Sequence, residues 1–305
     1  MSERHLNHGG TAVITGAASG FGLELARLCA QRGMNVVLAD VQADALESAK
    51  QTLTPLGAPL LPYRLDVSNA AEVEAMAQAT VQRFGVPHLV FNNAGVGAGG
   101  LIWEATVADW QWVLGVNLMG VAHGVRVFTP LMLKAAEQDS GYEGHVINTA
   151  SMAGLVNPPN MGVYNVSKHA VVSLSETLHQ DLSLVSDQVR AHVLCPFFVP
   201  TGITLSERNR PQALSDPAAK PTRSQLIGKA MMDKAVTGGK VTATDVAQFV
   251  LDAVRDDRFY IYSHPKALGS VQLRLEDVVQ QRNPTDPFKD RPEVGQQLRV
   301  ALRAR

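Results

Sequence analysis

Tyr164 and Lys168 stand four residues apart in Tyr164-Asn165-Val166-Ser167-Lys168, and Ser151 lies thirteen residues before the tyrosine. On a helix, residues four apart share a face, so this spacing puts a phenol one turn from an ammonium. A free phenol titrates near 10 and is a weak base at neutral pH (about 10). An adjacent ammonium, joined by the positive charge of an oxidised nicotinamide, would favour phenolate. A fall of about three units corresponds to roughly 4 kcal/mol, which a partly buried cationic setting can supply. Such a tyrosine takes the proton of an alcohol during oxidation and gives it to a carbonyl oxygen during reduction. Lys168 also has the reach to hydrogen-bond a nicotinamide ribose. Ser151, in Asn148-Thr149-Ala150-Ser151, can orient the substrate oxygen and stabilise charge developing on it. Asn117, in Gly115-Val116-Asn117-Leu118, can hold a water linking Lys168 to bulk solvent. Alone, a tyrosine and a lysine at this spacing are ordinary surface residues; their company changes the reading.

That company is the stretch Thr15-Gly16-Ala17-Ala18-Ser19-Gly20-Phe21-Gly22, which follows an apolar strand and opens a helix. Glycines permit a tight turn and close backbone approach, and a helix N-terminus presents free N–H donors and a positive dipole end. Gly16, Ser19, Gly20, Phe21 and Gly22 are therefore candidates to hold a dinucleotide's pyrophosphate. Asp40 ends the second strand, 24 positions after Gly16, where a carboxylate can accept from both ribose hydroxyls of NAD and would repel a 2′-phosphate. Val41, Gln42 and Ala43 follow it, with no arginine, so NAD is favoured over NADP; the alternative for Asp40 is a helix N-cap. Asp66 and Val67 end the third strand and are candidates to contact adenine, with an N-cap again the alternative for Asp66. Asn93, Ala94 and Gly95, after Asn92, leave room for a flat adenosine against the backbone.

These groups need a scaffold that brings strand ends together. Strands are expected at Thr11–Thr15, Asn35–Ala39, Leu60–Leu65, His88–Asn92, His145–Thr149, Val189–Cys195 and Phe259–Ser263. Helices are expected around Gly20–Arg32, Ala43–Leu56, Ala70–Phe84, Asp109–Glu137 and Val163–Val185. Continuous apolar runs such as Val36-Val37-Leu38-Ala39 suit a parallel sheet buried on both faces. The alternation implies an α/β, Rossmann-type doubly wound sheet in one domain. Residues 200–240 carry Pro200, Pro211, Pro217, Pro221 and Gly238-Gly239, and read as a long excursion with one or two short helices, a lid. Residues 1–263 thus form the dinucleotide-binding and catalytic domain, and 264–305 a C-terminal helical extension. In that extension a helix at Ala267–Gln281 is broken at Asn283–Pro287 and followed by a basic tail.

Taken together, these motifs resemble the short-chain dehydrogenase/reductase family over about residues 10–263. The resemblance rests on the glycine turn Thr15–Gly22, on Asn92–Gly95, and on Asn117, Ser151 and Tyr164–Lys168. It implies a seven-stranded parallel sheet and a catalytic tetrad of Asn117, Ser151, Tyr164 and Lys168. After the sixth strand relatives typically carry Pro-Gly, where this chain has Cys195-Pro196-Phe197-Phe198-Val199-Pro200-Thr201. Pro196, Val199 and Thr201 match positions that hold the nicotinamide, and Phe197 replaces the glycine. The resemblance also implies a homodimer or homotetramer built on the segments Asp109–Glu137 and Val163–Val185.

On the substrate side Met152, Phe197 and Phe198 are the leading candidates. Leu155, Val156, Leu226, Ile227, Met231 and Met232 stand behind them, and Gly97, Gly99 and Gly100 offer room for close approach. An apolar cleft of this kind suits a secondary alcohol or ketone, apolar or aromatic. The readings weighed against it are an NADP-preferring carbonyl reductase and a catalytically silent dinucleotide-binding regulator. With a net charge of −1 over 305 residues, nothing suggests nucleic acid or an anionic membrane as partner. Two cysteines, Cys29 and Cys195, form no framework, Met1–Gly10 lacks the apolar core of a signal peptide, and no long uninterrupted apolar run is present. A cytoplasmic setting is expected. His123, His145, His179 and His192 have no ligand spacing, so no metal is expected.

Overall fold

In the computed structural model, which describes residues 9–216 and 218–303, seven parallel strands form one sheet in the order β3-β2-β1-β4-β5-β6-β7. Most of the Met1–Gly10 segment, Pro217 and the last two residues of the tail lie outside the described residues. The strands are β1 Thr11–Thr15, β2 Asn35–Asp40, β3 Leu60–Arg64, β4 Leu89–Asn92, β5 Gly144–Thr149, β6 Val189–Cys195 and β7 Tyr260–Tyr262. Side chains alternate between faces along each strand, and the core divides accordingly. Ala12, Ile14, Val36 and Leu38 pack on one side against Leu25 and Ala26 of α1 (Gly20–Gln31), Leu46 of α2 (Ala43–Leu53) and Val250. Val13, Val37, Val90 and Val146 pack on the other against Val73 and Met76 of α3 (Ala70–Phe84), Phe128 and Met132, and Leu178 and Leu182. Each such side chain contributes about 1.5–3 kcal/mol when fully buried, which is why these runs show no polar alternation. The chain reverses direction across the sheet between β1 and β4, and in open α/β sheets ligands bind outside the carboxyl ends of strands at this switch point.

The long helical stretch after β4 is not continuous. It consists of α4 (Val107–Leu114), a π-helical turn at Gly115–Met119, and α5 (Gly120–Gln138) with Pro130 inside it. The run Val107–Gln138 is long and apolar enough by composition to cross a membrane, with mean hydropathy 1.2 in its best window. Here it covers the sheet, packing on β4, β5, β6 and α3. After β5 comes α6 (Gly162–Val185), and after β6 the excursion folds into a 3-10 segment Gly202–Asn209, a 3-10 turn Gln212–Leu214 and α7 (Arg223–Thr237). Two helices go beyond the sequence expectations. One is α8 (Ala243–Arg255), started by a capping box between Thr242 and Asp245. The other, α10 (Pro292–Arg303), replaces the expected plain tail: Pro292 sits at its start, where a missing N–H is harmless, and Leu298 is buried. Between them α9 spans Leu268–Val279, and α10 packs against α7, which ties the extension to the excursion.

Candidate active site

The turn after β1 is built for a backbone that must pass close to something else. Gly16 and Gly20 have φ of +66° and +52°, a region that costs L-residues energy. A side chain on Gly22 would strike the carbonyl of Gly16. Ser19 holds the N-cap position of α1 but makes no capping bond, and the first turn carries no acidic residue. The opening amides of α1 are thus left to an anion, with Phe21 half-buried against the core beside them. Thr201 stands over this turn, its Cβ 3.3 Å from where a Cβ on Gly20 would lie. The glycine turn and the segment after β6 therefore face one another, as a dinucleotide spanning the two requires.

Asp40 accepts from Ala18 N at 3.1 Å through Oδ2 and from Gln42 N at 3.0 Å through Oδ1, which fixes its carboxylate between the glycine turn and the start of α2. Neither carboxylate candidate is an N-cap: α2 begins after Gln42 and α3 after Asn69, whose side chain accepts from Ala71 N. Asp66 instead closes a local turn, accepting from Ser68 N and Oγ, while its own N–H donates to Glu72. Val67 is buried under Gly120. Thr15 Oγ1 accepts from Asn93 N and Ala94 N, and Asn93 Nδ2 donates to Thr15 O, so the 93–95 segment is held flat against the end of β1. Gly95 is where this segment meets the catalytic candidates: a Cβ there would lie 3.4 Å from Asn117 Oδ1 and 3.5 Å from Lys168 Nζ.

The four catalytic candidates converge. Ser151 caps the 3-10 turn Met152–Gly154, accepting from Ala153 N and donating to Pro196 O at 3.5 Å, with its hydroxyl close enough to that of Tyr164 to lower the phenol's pKa. Tyr164 sits in the first turn of α6 with its ring partly exposed; Lys168, one turn on, is 3% exposed. Lys168 Nζ donates to Thr149 O at 2.8 Å and lies 5.9 Å from the centre of the Tyr164 ring. Asn117 is placed by the π-turn, and its amide is held by three hydrogen bonds: Oδ1 accepts from Val96 N, and Nδ2 donates to Val96 O and Ser167 Oγ. That side chain braces the loop after β4 against α6. Ser167 completes the brace by donating to Tyr164 O at 2.8 Å, a role visible in its place between Tyr164 and Lys168 but not anticipated.

The electrostatics depart from expectation in sign. Burial raises the Tyr164 pKa above that of a free phenol, and the neighbouring Ser151 hydroxyl offsets only part of this. Lys168 does not depress it; burial draws the ammonium itself down to about 8. The Cys195 thiol is in turn pushed up to about 12 by burial, so it stays neutral. In the chain by itself Tyr164 is a neutral acid.

The substrate-side candidates divide. Phe197 is 40% exposed, its ring 4.5 Å from that of Phe198 and 5.7 Å from His264, while its N–H donates to Ser263. Met152 is 2% exposed and its N–H is bonded to Pro196 O, so it packs inside the fold and offers no open surface to a substrate. Val199 is buried in the core, and Thr201 caps the 3-10 segment that follows. Gly97, Gly99 and Gly100 do permit close approach, but by the excursion: their nearest neighbours are Ile203, Gly228, Gln225 and Ser224, together with Asn160. His145 and His192 pair in the core at 3.0 Å, and His192 also bonds to Arg258 O; among the described residues no cluster of three metal-ligating side chains occurs.

With this geometry in view, the family model described as short chain dehydrogenase matches residues 10–212. The chain belongs to the short-chain dehydrogenase family. A short-chain dehydrogenase from Burkholderia phymatum, solved in complex with NAD, is 53% identical, with a TM-score of 0.90 over 94% of this chain and 99% of that one. The CLA biosynthesis dehydrogenase/reductase of Lactiplantibacillus plantarum is 34% identical over 87% of this chain and 92% of its own. The 1-deoxy-11-beta-hydroxypentalenate dehydrogenase of Streptomyces avermitilis is 33% identical over 88% and 87%. As a short-chain dehydrogenase the chain is an NAD(P)-dependent oxidoreductase, and its seven-stranded sheet is the one the family shares.

Proposed function

We propose that this short-chain dehydrogenase catalyses reversible, NAD-dependent interconversion of a secondary alcohol and a ketone, on an apolar or aromatic substrate. The observation that carries the reading is the convergence of Ser151, Tyr164 and the buried ammonium of Lys168, which lies 5.9 Å from the centre of the Tyr164 ring, at the carboxyl ends of the strands. When bound, the nicotinamide supplies the hydride acceptor or donor and, oxidised, a positive charge beside the phenol. Ser151 and Tyr164 then present two hydroxyls to one substrate oxygen. In reduction Tyr164 gives its proton to the developing alkoxide while Ser151 stabilises the charge; in oxidation Tyr164 takes the alcohol proton. Because burial keeps the phenol neutral, proton donation needs no outside help, whereas the oxidising direction depends on that added charge. Lys168 holds its place through Thr149 O, and Asn117 and Ser167 hold the helix turn that carries Tyr164.

NAD rather than NADP is supported by Asp40, whose carboxylate is fixed at the rim of the glycine turn, and by the NAD complex of the Burkholderia relative. An apolar or aromatic substrate is supported by the exposed Phe197 ring beside Phe198, and a hydroxyl as the reacting group by the hydroxypentalenate named for the Streptomyces relative. Residues 1–263 serve as the catalytic domain, with the excursion as its lid and 264–305 as an extension braced on it; limited proteolysis should release the extension first, and first cleavage within the sheet would refute this. Buried free thiols at Cys29 and Cys195 suit the cytoplasm, which cell fractionation checks. The test of the reaction is Tyr164→Phe on a panel of secondary alcohols and ketones. Turnover should fall by about 10²–10⁴ while NAD binding survives; full activity would remove Tyr164 as acid and base.

A further inference from the structure

Val41, Gln42 and Ala43 follow Asp40, so the sequence puts no cation beside it. Folding brings one from the neighbouring strand. Arg64 is the last residue of β3 and the parallel partner of Asp40 in the β2–β3 register. Its Nε donates to Val41 O at 3.3 Å, which lays the guanidinium over the turn from β2 into α2 at the exposed edge of the sheet. Arg64, Val41, Leu65, Asp66 and Glu72 line one cleft of about 320 Å³, at the carboxyl ends of β2 and β3. Asp40 closes the corner next to it, held to the glycine turn by Ala18 N. Around this corner stand three carboxylates, Asp40, Asp66 and Glu72, and the guanidinium of Arg64. A ribose with free hydroxyls fits that balance; a phosphate dianion would meet Asp40 first.

We propose that Arg64 is a specificity-determining residue for the adenosine end of the cofactor, a guanidinium that a 2′-phosphate engages once the Asp40 carboxylate is removed. The inference rests on the reading of Asp40 as the ribose residue. Its consequence is that Asp40→Ser shifts the preference toward NADP with no arginine introduced, because a planar fork able to bind phosphate with two parallel bonds is already at the corner. Arg64 thereby supplies the element that the strand order, and not the local sequence, decides.

Calorimetric titration with ADP and with 2′,5′-ADP, which carry the adenosine end without nicotinamide, separates this role from catalysis. In Asp40→Ser, affinity for 2′,5′-ADP should rise at least tenfold, about 1.4 kcal/mol. Adding Arg64→Ala should cancel that gain and weaken ADP by far less, and Arg64→Lys should keep part of it. The gain should also shrink as salt is raised. A double variant that keeps the gain, or that loses both nucleotides equally, overturns the proposal; melting curves confirm that each variant folds. If the unaltered chain already prefers 2′,5′-ADP, the NAD reading fails separately. Arg64→Ala alone then decides: a tenfold loss confined to 2′,5′-ADP upholds the role of Arg64, and equal losses overturn it.

Discussion

Lys168 carries a charge in a place that disfavours it, since burial draws its pKa from 10.5 to about 8. That difference corresponds to roughly 3 kcal/mol of stability lost at neutral pH, where the folded and unfolded chains both hold the proton. Between pH 8 and 10.5 the folded lysine gives up its proton while the unfolded one keeps it, so stability climbs with pH across that window and the cost is gone above it. Lys168→Met should therefore abolish most turnover yet stabilise the fold at pH 7 by about 1–3 kcal/mol, after about 1 kcal/mol is subtracted for the donor lost at Thr149 O. The advantage should narrow at pH 9.5. Urea melts at the two pH values check this, and a variant less stable than the parent at pH 7 would refute it. At this scale the sequence was informative about which residues meet, because helical spacing joins Tyr164 to Lys168. It was uninformative about their charge balance. That depends on how deeply Lys168 is buried and on which acceptor, Thr149 O, it finds.

Among the elements, the excursion after β6 is fastened to the loop after β4 rather than hanging free. Ser224 accepts from Leu101 N, donates to Glu104 Oε2, and accepts through its carbonyl from Asn160 Nδ2. Farther along, Arg210 pairs with Asp109 and lies over the Trp112 ring at 4.4 Å. Ser224→Ala leaves the Leu101 amide without its acceptor, a loss of about 1–3 kcal/mol where the site stays closed to water, and takes one donor from Glu104. The lid should loosen: substrate KM rises several-fold, NAD affinity holds, and amide exchange quickens across 202–237. Unchanged KM with unchanged exchange would show that these bonds do not set the lid. Strands β1 and β6 and helix α3 were legible to the residue, since an apolar run or a 3.6-residue stripe bounded by turn residues leaves little freedom. The helix α8 also carries such a stripe, Val246, Ala247, Val250, Leu251 and Val254, but sits between two irregular stretches that blur its bounds in the sequence. The glycines at 97, 99 and 100 were read as space for substrate because a sequence shows where close approach is possible, not which partner approaches.

For the whole molecule, apolar surface is left open along the edge where the π-turn, α4 and α6 meet. Met119 and Val166 are exposed there, Val107 is 73% exposed, and Trp103 nearby is 77% exposed. Large apolar side chains left open on neighbouring elements favour an interface. A symmetric assembly that buries α5 and α6 against a second copy would cover them, and light scattering should report a dimer or tetramer. A monomer at micromolar concentration would contradict this. The parallel order of the sheet was readable from the alternation of elements, whereas the corner formed by Asp40 and Arg64 was not, because 24 residues separate the two in the chain and only strand pairing joins them.

The claim beneath all of this is that Tyr164 is a neutral acid in the protein alone and an ionisable base when oxidised NAD is beside it. Tyrosinate absorbance, titrated from pH 6 to 11 with and without NAD and corrected by the same titration of Tyr164→Phe, isolates this one phenol among the five tyrosines. The expected result is ionisation only above the range of a free phenol in the protein alone, and at clearly lower pH with NAD bound. A Tyr164 signal that does not move when NAD is added, or that already ionises near neutrality without it, would contradict the account.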